Sequence, residues 1–120
     1  MSPTEKYLSL ETYRKDGAAV ATPVWFGTAP DGTIYVYSEA GAAKIRRARN
    51  NPKGRIAPCD MRGNVTGAWE PVTLRVVTDD SEMVMAQRLL DDKYGLVKKL
   101  SNFFAKFRST GREGLAITAA

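Results

Sequence analysis

Residues 34–52, IYVYSEAGAAKIRRARNNP, decide how the rest of the chain is read. Ile34, Tyr35, Val36 and Tyr37 are β-branched or aromatic, the types that fit a pleated, half-buried surface. Ser38, Glu39, Ala40 and Gly41 break that pattern, and a short helix is predicted next. Ala42, Ile45 and Ala48 recur every third residue and share one face, which sends Lys44, Arg46, Arg47 and Arg49 elsewhere. Asn50, Asn51 and Pro52 stop it. A lysine in the first helical turn meets the positive end of the dipole, a mismatch of roughly 0.3–1 kcal/mol. Free backbone N–H groups and a lysine at one point suit a phosphate. The alternative is a solvated basic face, because Arg46, Arg47 and Arg49 complement the C-terminal end of the dipole with no ligand, and no Gly-rich phosphate loop precedes the helix.

The composition narrows the chemistry. With 120 residues, 43% hydrophobic and 26% charged, one globular domain over residues 1–120 is expected, with a single core. The opening MSPTEKYLSLETYRKDG lacks the pattern of a secretory or transit leader, and no 18-residue apolar stretch occurs. A cytoplasmic chain that neither enters nor crosses a membrane is therefore expected. Cys59 is the only cysteine and there is no histidine. That excludes an intrachain disulfide, Ser-His and Cys-His nucleophile pairs and the usual zinc and iron sites, so no metal is expected. Any chemistry has to come from a bound cofactor or from carboxylate, Lys, Arg, Tyr or backbone groups. The net charge of +5 favours an anionic partner, either nucleic acid or a phosphate-bearing small molecule.

On either side of the opening stretch the pattern is mostly β. Lys6–Arg14 alternates in period two, with Leu8, Leu10 and Thr12 on one face and Tyr7, Ser9, Glu11 and Tyr13 on the other. Lys15, Asp16 and Gly17 turn the chain, and Ala18–Phe26, AAVATPVWF, returns as one strand. Pro23 inside it predicts an edge, a bulge or a strand that peels away. Trp25 beside it is either a core residue or a ligand-facing wall. Pro30-Asp31-Gly32 is a second turn. Gly54–Arg62, with Pro58, and Gly67–Val77, with Trp69, Val72, Leu74 and Val76, are further strand runs joined by a Gly63-Asn64 turn. Short strands joined by short turns predict an antiparallel meander or barrel.

Asp79 and Glu82 stand at capping-box spacing ahead of a helix expected to reach about Lys93, with Met83, Ala86, Leu89 and Leu90 inward and Gly95 as its end. Leu96, Val97, Leu100, Phe103, Phe104 and Phe107 give a second amphipathic helix, for core or dimer packing or for a membrane surface. Gly114–Thr118 is a closing strand. Cys59 reads as a small buried hydrophobe.

ATPVWF, YSEAGAAKIRRARNNP and the β-run after the helix together resemble the pyridoxamine 5′-phosphate oxidase-like split barrels. The strings KYLSLETYRKDGAAVATPVWF (Lys6–Phe26) and LLDDKYGL (Leu89–Leu96) look closest to that family's small probable F420-dependent enzymes. The resemblance implies a six-stranded antiparallel split barrel, α+β and mainly β, that forms a homodimer. It implies FMN or the deazaflavin coenzyme F420 in a groove between subunits.

Carried onto this sequence, the resemblance puts the cofactor phosphate near Ser38, Lys44 and Arg47. The ring lies against Pro23, Val24, Trp25, Ala57, Pro58 and Cys59, and the partner subunit closes the groove with Gly67, Ala68 and Trp69. Lys93 and Tyr94 border the substrate. The RxVLLK strand of true pyridoxamine phosphate oxidases is replaced by ATPVWF, and Ala42 and Ala43 replace their Ser-Arg pair. Vitamin B6 oxidation is therefore not expected. The deazaflavin, with a long acidic tail for the basic helix, is favoured over FMN. The implied function is hydride transfer between the reduced deazaflavin and a small organic substrate, with no catalytic residue assigned. The alternatives are an FMN-dependent reductase, a non-catalytic flavin- or haem-binding barrel, and a nucleic-acid binder.

Overall fold

The computed structural model describes residues 5–39, 42–94 and 112–120. The chain runs through β1 (Tyr7–Tyr13), β2 (Ala19–Val24), β3 (Gly27–Thr28), β4 (Ile34–Glu39), α1 (Ala43–Asn50), β5 (Lys53–Cys59), β6 (Glu70–Val77), α2 (Asp80–Tyr94) and β7 (Arg112–Ala119). One antiparallel sheet holds all these strands in the order β2-β1-β5-β6-β7-β4-β3.

The two edges of this sheet come from one stretch of chain. β2 lies at one edge and β3 at the other, yet only Trp25 and Phe26 separate them. The sheet therefore has to curl until its edges approach, which makes an incompletely closed barrel. Pro23 lies on the edge strand opposite Ser9, where one side of the backbone has no ladder to feed and a missing N–H is tolerated. The six strands expected become seven, because the return strand expected over Ala18–Phe26 ends at Val24 and Gly27–Thr28, beyond it, forms a further short strand. The chain leaves the ladder after Val24, and the β-rich side chains of VWF give no sign of that break.

Alternation then sorts the side chains into two cores. Ile34 and Val36 of β4, with Leu115 and Ile117 of β7, point into the barrel, where they meet Leu8, Leu10, Phe26, Ile56 and Leu74. Ile45 and Ala48 of α1 plug the same core, as their spacing predicts, and Ile45 is fully buried. Burying an isoleucine of that size contributes about 1.5–3 kcal/mol. Tyr35, Tyr37 and Ala116, the intervening residues, face outward and are covered by Met83, Ala86 and Leu90 of α2. The Tyr37 hydroxyl donates to the Met83 carbonyl at 2.9 Å, so its polar tip is satisfied under the helix. Gly17 and Gly32 sit at φ +88° and +90° in the turns assigned to them, a region that only glycine enters without strain.

Two local expectations change. The Asp79 carboxylate accepts the Glu82 N–H at 2.9 Å, but the Glu82 carboxylate does not turn back to complete a capping box. It accepts two bonds from Arg75 and one from the Tyr35 hydroxyl at 2.9 Å, tying the first turn of α2 to β6 and β4. The strand expected over Gly67–Val77 starts at Glu70. Gly95 and the amphipathic run Leu96–Phe107 lie outside the described residues. Among those described, no helix is long and apolar enough to cross a membrane.

Candidate cofactor-binding site

The site grows from the way α1 begins. Its N-cap is Ala42, which makes no side-chain cap, and its first turn holds no acid. The Ile45 and Arg46 N–H groups donate to the Ala42 carbonyl at 3.0 and 3.1 Å, and among the described residues the Ala43 and Lys44 N–H groups ahead of them have no capping oxygen. Lys44 stands in that turn, half-buried. Burial pushes its ammonium below the ordinary lysine range, and neighbouring Arg47 adds to the shift. Among the described residues no hydrogen-bond or ion-pair partner reaches it.

One turn on, Arg47 is held in place. Its Nε donates to Thr12 Oγ1 at 2.6 Å, and Thr12 is only 1% exposed. Burial, followed by Arg14 and Arg46, lowers the Arg47 pKa. These cations crowd one another, and an anion placed among them relieves both the burial cost and the repulsion. Arg49 points away and pairs with Glu113 on β7.

Beside the outer face of α1 lies an open groove of about 340 Å³ lined by Tyr13, Arg14, Lys15, Ala43, Arg46, Arg47 and Asn50. Four of these residues are cations and none is a carboxylate. Arg14 and Lys15 were not among the residues singled out from sequence. Their type was visible next to the Asp16-Gly17 turn, but only tertiary packing brings the β1–β2 hairpin alongside α1. Ser38 lies on β4 opposite Glu113. Lys44 is not part of the groove wall, so α1 carries cations both along the groove and away from it.

The other half of the predicted site gathers around the sheet edge. Pro23 faces Ser9 across β1–β2, and Pro58 faces Leu8 across β1–β5. Pro23 is exposed, and Pro58 and Trp25 are half-buried. Val24, Ala57 and Cys59, at 8%, 0% and 5% exposure, have their side chains sunk, and their backbones are paired with β1 opposite Leu8, Ser9 and Tyr7. Burial, aided by Asp60 and Glu5, pushes the Cys59 thiol pKa up, which makes it a poor nucleophile. Gly67 and Ala68 are exposed, and the Thr66 N–H donates to the Pro58 carbonyl at 2.8 Å. A Cβ on Gly67 would stand 2.5 Å from Pro58 Cγ, so this loop meets Pro58 within one chain. Trp69 lies under the Arg55 guanidinium, 5.0 Å from the ring centroid. Arg55 also donates twice to Glu11, at 2.9 and 2.8 Å.

Lys93 and Tyr94, at the end of α2, form a cluster with this edge. The Tyr94 ring stacks on Trp25 at 5.3 Å between centroids and 26° between planes. Its hydroxyl accepts the Phe26 N–H at 3.0 Å and donates to the Lys6 carbonyl at 2.7 Å. Burial pushes the phenol up to about 12. Lys93 Nζ is buried 3.1 Å over the Phe26 ring, with no hydrogen-bond acceptor among the described residues. Burial takes it down to about 8.

No protein-family model and no curated protein matches the sequence, whereas solved structures match over nearly its whole length. Rv2991 of Mycobacterium tuberculosis, a conserved hypothetical protein, aligns at TM-score 0.70 and 18% identity, over 95% of this chain and 72% of its own. HutZ of Vibrio cholerae, described as a haem storage protein, aligns at 0.68 and 17%, over 97% and 82%. A pyridoxamine 5′-phosphate oxidase-related, FMN-binding protein of Nostoc punctiforme aligns at 0.55 and 17%, over 95% and 70%. At these identities the likeness is one of fold. The chain has the split-barrel fold found in pyridoxamine 5′-phosphate oxidase-like, FMN-binding proteins.

Proposed function

We propose that this chain is an oxidoreductase that binds the deazaflavin coenzyme F420 and transfers a hydride between the reduced cofactor and a small organic substrate, as a homodimer. The observation that carries this reading is the basic groove beside α1, with four cations and no carboxylate in its wall. A single phosphate needs fewer charges than this, whereas a phosphate extended by a chain of carboxylates engages them all. When bound, the cofactor supplies the hydride chemistry.

The chain's own residues bind and orient. Lys44 and the open N–H groups of α1 take the phosphate beside Ser38. Arg47, fixed by Thr12, joins that site to the groove, where Arg14, Lys15 and Arg46 hold the acidic tail. Trp25, Pro23 and Pro58 offer surface to the ring, with Val24 beside them on edge strand β2 and Ala57 and Cys59 on the interior strand β5. Gly67, Ala68 and Trp69 close the groove toward the second subunit and exclude water.

FMN is the second reading, favoured by the FMN-binding relative of the same fold. Against it, Ala42 and Ala43 offer the phosphate no side-chain donor. Haem finds little support here, since the chain has no histidine and Cys59 is buried at 5% exposure. Equilibrium binding of F420 and of FMN, read by quenching of cofactor fluorescence at low and moderate salt, tests the proposal. Tight deazaflavin binding that weakens with salt, with weak FMN binding, supports it. The reverse order makes the chain a flavoprotein, and binding of neither withdraws the function. Sedimentation of the purified protein tests the dimer.

A further inference from the structure

Trp25 and Phe26 form the two-residue link between β2 and β3, the two edge strands of the sheet. They lie between β2 and β3, outside every ladder, so no strand pairing fixes the peptide that carries the Trp25 ring. Tyr94 supplies what the sheet does not. Its hydroxyl accepts the Phe26 N–H and donates to the Lys6 carbonyl, while its ring stacks on the indole. The last turns of α2 press in from the same side: a Cβ on Gly27 would lie 2.8 Å from Leu89 Cβ, and Lys93 covers Phe26.

We propose that Tyr94 is a positioning residue that holds Trp25 as the aromatic wall for the cofactor ring. This rests on the cofactor reading above, but the contact itself does not. The phenol acts through geometry: its hydroxyl ties the Phe26 N–H, next to the wall, to the Lys6 carbonyl ahead of β1, and the stack fixes the indole plane. Tyr94→Phe keeps the stack and removes both bonds, so it isolates the hydroxyl.

Three measurements test this. In the native chain the Phe26 amide is expected to exchange slowly with solvent. In a Trp69→Phe background, where Trp25 alone reports, Tyr94→Phe is expected to diminish the near-ultraviolet dichroism of Trp25 and raise its acrylamide quenching. In the otherwise native chain, Tyr94→Phe is expected to weaken riboflavin, a ring without phosphate, by roughly tenfold, because the wall is no longer held in place before the ring arrives, and to leave pyrophosphate binding unchanged. An unprotected Phe26 amide overturns the proposal even if the variant fails to fold. So does a Tyr94→Phe chain whose Trp25 signal matches that of its parent. If the parent binds no flavin or deazaflavin while the Trp25 signal still collapses in Tyr94→Phe, the cofactor reading fails and the positioning of Trp25 by Tyr94 stands.

Discussion

Lys44→Ala separates ligand binding from folding. Lys44 is half-buried in the first turn of α1, and burial and Arg47 push its ammonium below the ordinary lysine range. Among the described residues nothing pairs with it, so its loss removes no bond to any of them. Stability should stay within about 0.5 kcal/mol of the parent. A phosphate at that ammonium loses a charge-assisted hydrogen bond of about 1.5–3 kcal/mol, which is about 10- to 150-fold in Kd. Arg47→Ala is the control with the opposite profile. It strips Thr12 Oγ1, a buried hydroxyl, of its 2.6 Å donor, so about 1–2 kcal/mol of stability should go with the affinity. Cofactor titration beside urea denaturation measures both quantities. The anion needs the charged ammonium, so affinity should fall as pH rises through the lowered Lys44 pKa, below the usual lysine range. A Lys44→Ala chain with the parent's Kd would refute the phosphate placement. A chain that loses several kcal/mol of stability would refute the claim that Lys44 is a spare cation.

The remaining predictions concern the fold around the site. Lys93 has its pKa lowered from 10.5 to about 8 by burial, partly opposed by Glu5, and Tyr94 has its own raised from 10.0 to about 12 by burial, with Tyr7 adding to it. Between pH 8 and 10.5 the unfolded chain keeps the lysine proton that the folded chain has released, so stability should rise there. Above pH 10 the unfolded phenol ionises first, so Tyr94 should reverse the trend. Denaturant titrations from pH 7 to 11 show whether the rise exists and whether Lys93→Met abolishes it. Gly27→Ala should destabilise by about 1–3 kcal/mol, because its Cβ would meet Leu89 Cβ at 2.8 Å and the Leu89 backbone carbon at 3.0 Å; an unchanged melting temperature would show that α2 does not pack there. The Cys59 thiol, 5% exposed with its pKa raised by burial, should react with a thiol reagent only as fast as the chain unfolds. Rapid labelling of the native protein would place it at the surface.

What could be read from sequence was local. Period-two alternation found the strands, and it also separates Ile34 and Val36, which enter the barrel, from Tyr35 and Tyr37, which meet α2. The spacing of Ile45 and Ala48 found the buried face of α1. Pro23 announced an edge, a bulge or a strand that peels away, and β2 is an edge. Periodicity says which face a side chain takes but not which strand lies beside it, so the pairing of β1 with β5 and the break after Val24 were not legible. The same limit hid Arg14 and Lys15, whose partners across the groove come from a helix far along the chain. It also hid the double burial of β1. Ser9 and Glu11 alternate with Leu8 and Leu10 as an exposed face would, yet they are 2% and 6% exposed, and Glu11 is held by Arg55 and by the Tyr13 hydroxyl.

The break after Val24 explains why the fold and the site meet at one place. A sheet whose two edges come from adjacent residues has to leave a short stretch unpaired, and its backbone N–H and C=O groups still need partners. α2 provides one of them, because the Phe26 N–H finds Tyr94, 68 residues away in sequence. A stretch outside the ladder and held by side chains can turn an indole ring without disturbing a strand pairing. Substitutions in the last turn of α2 therefore act at Trp25 before they act on the core. Loss of the Tyr94 hydroxyl should change the site more than the stability.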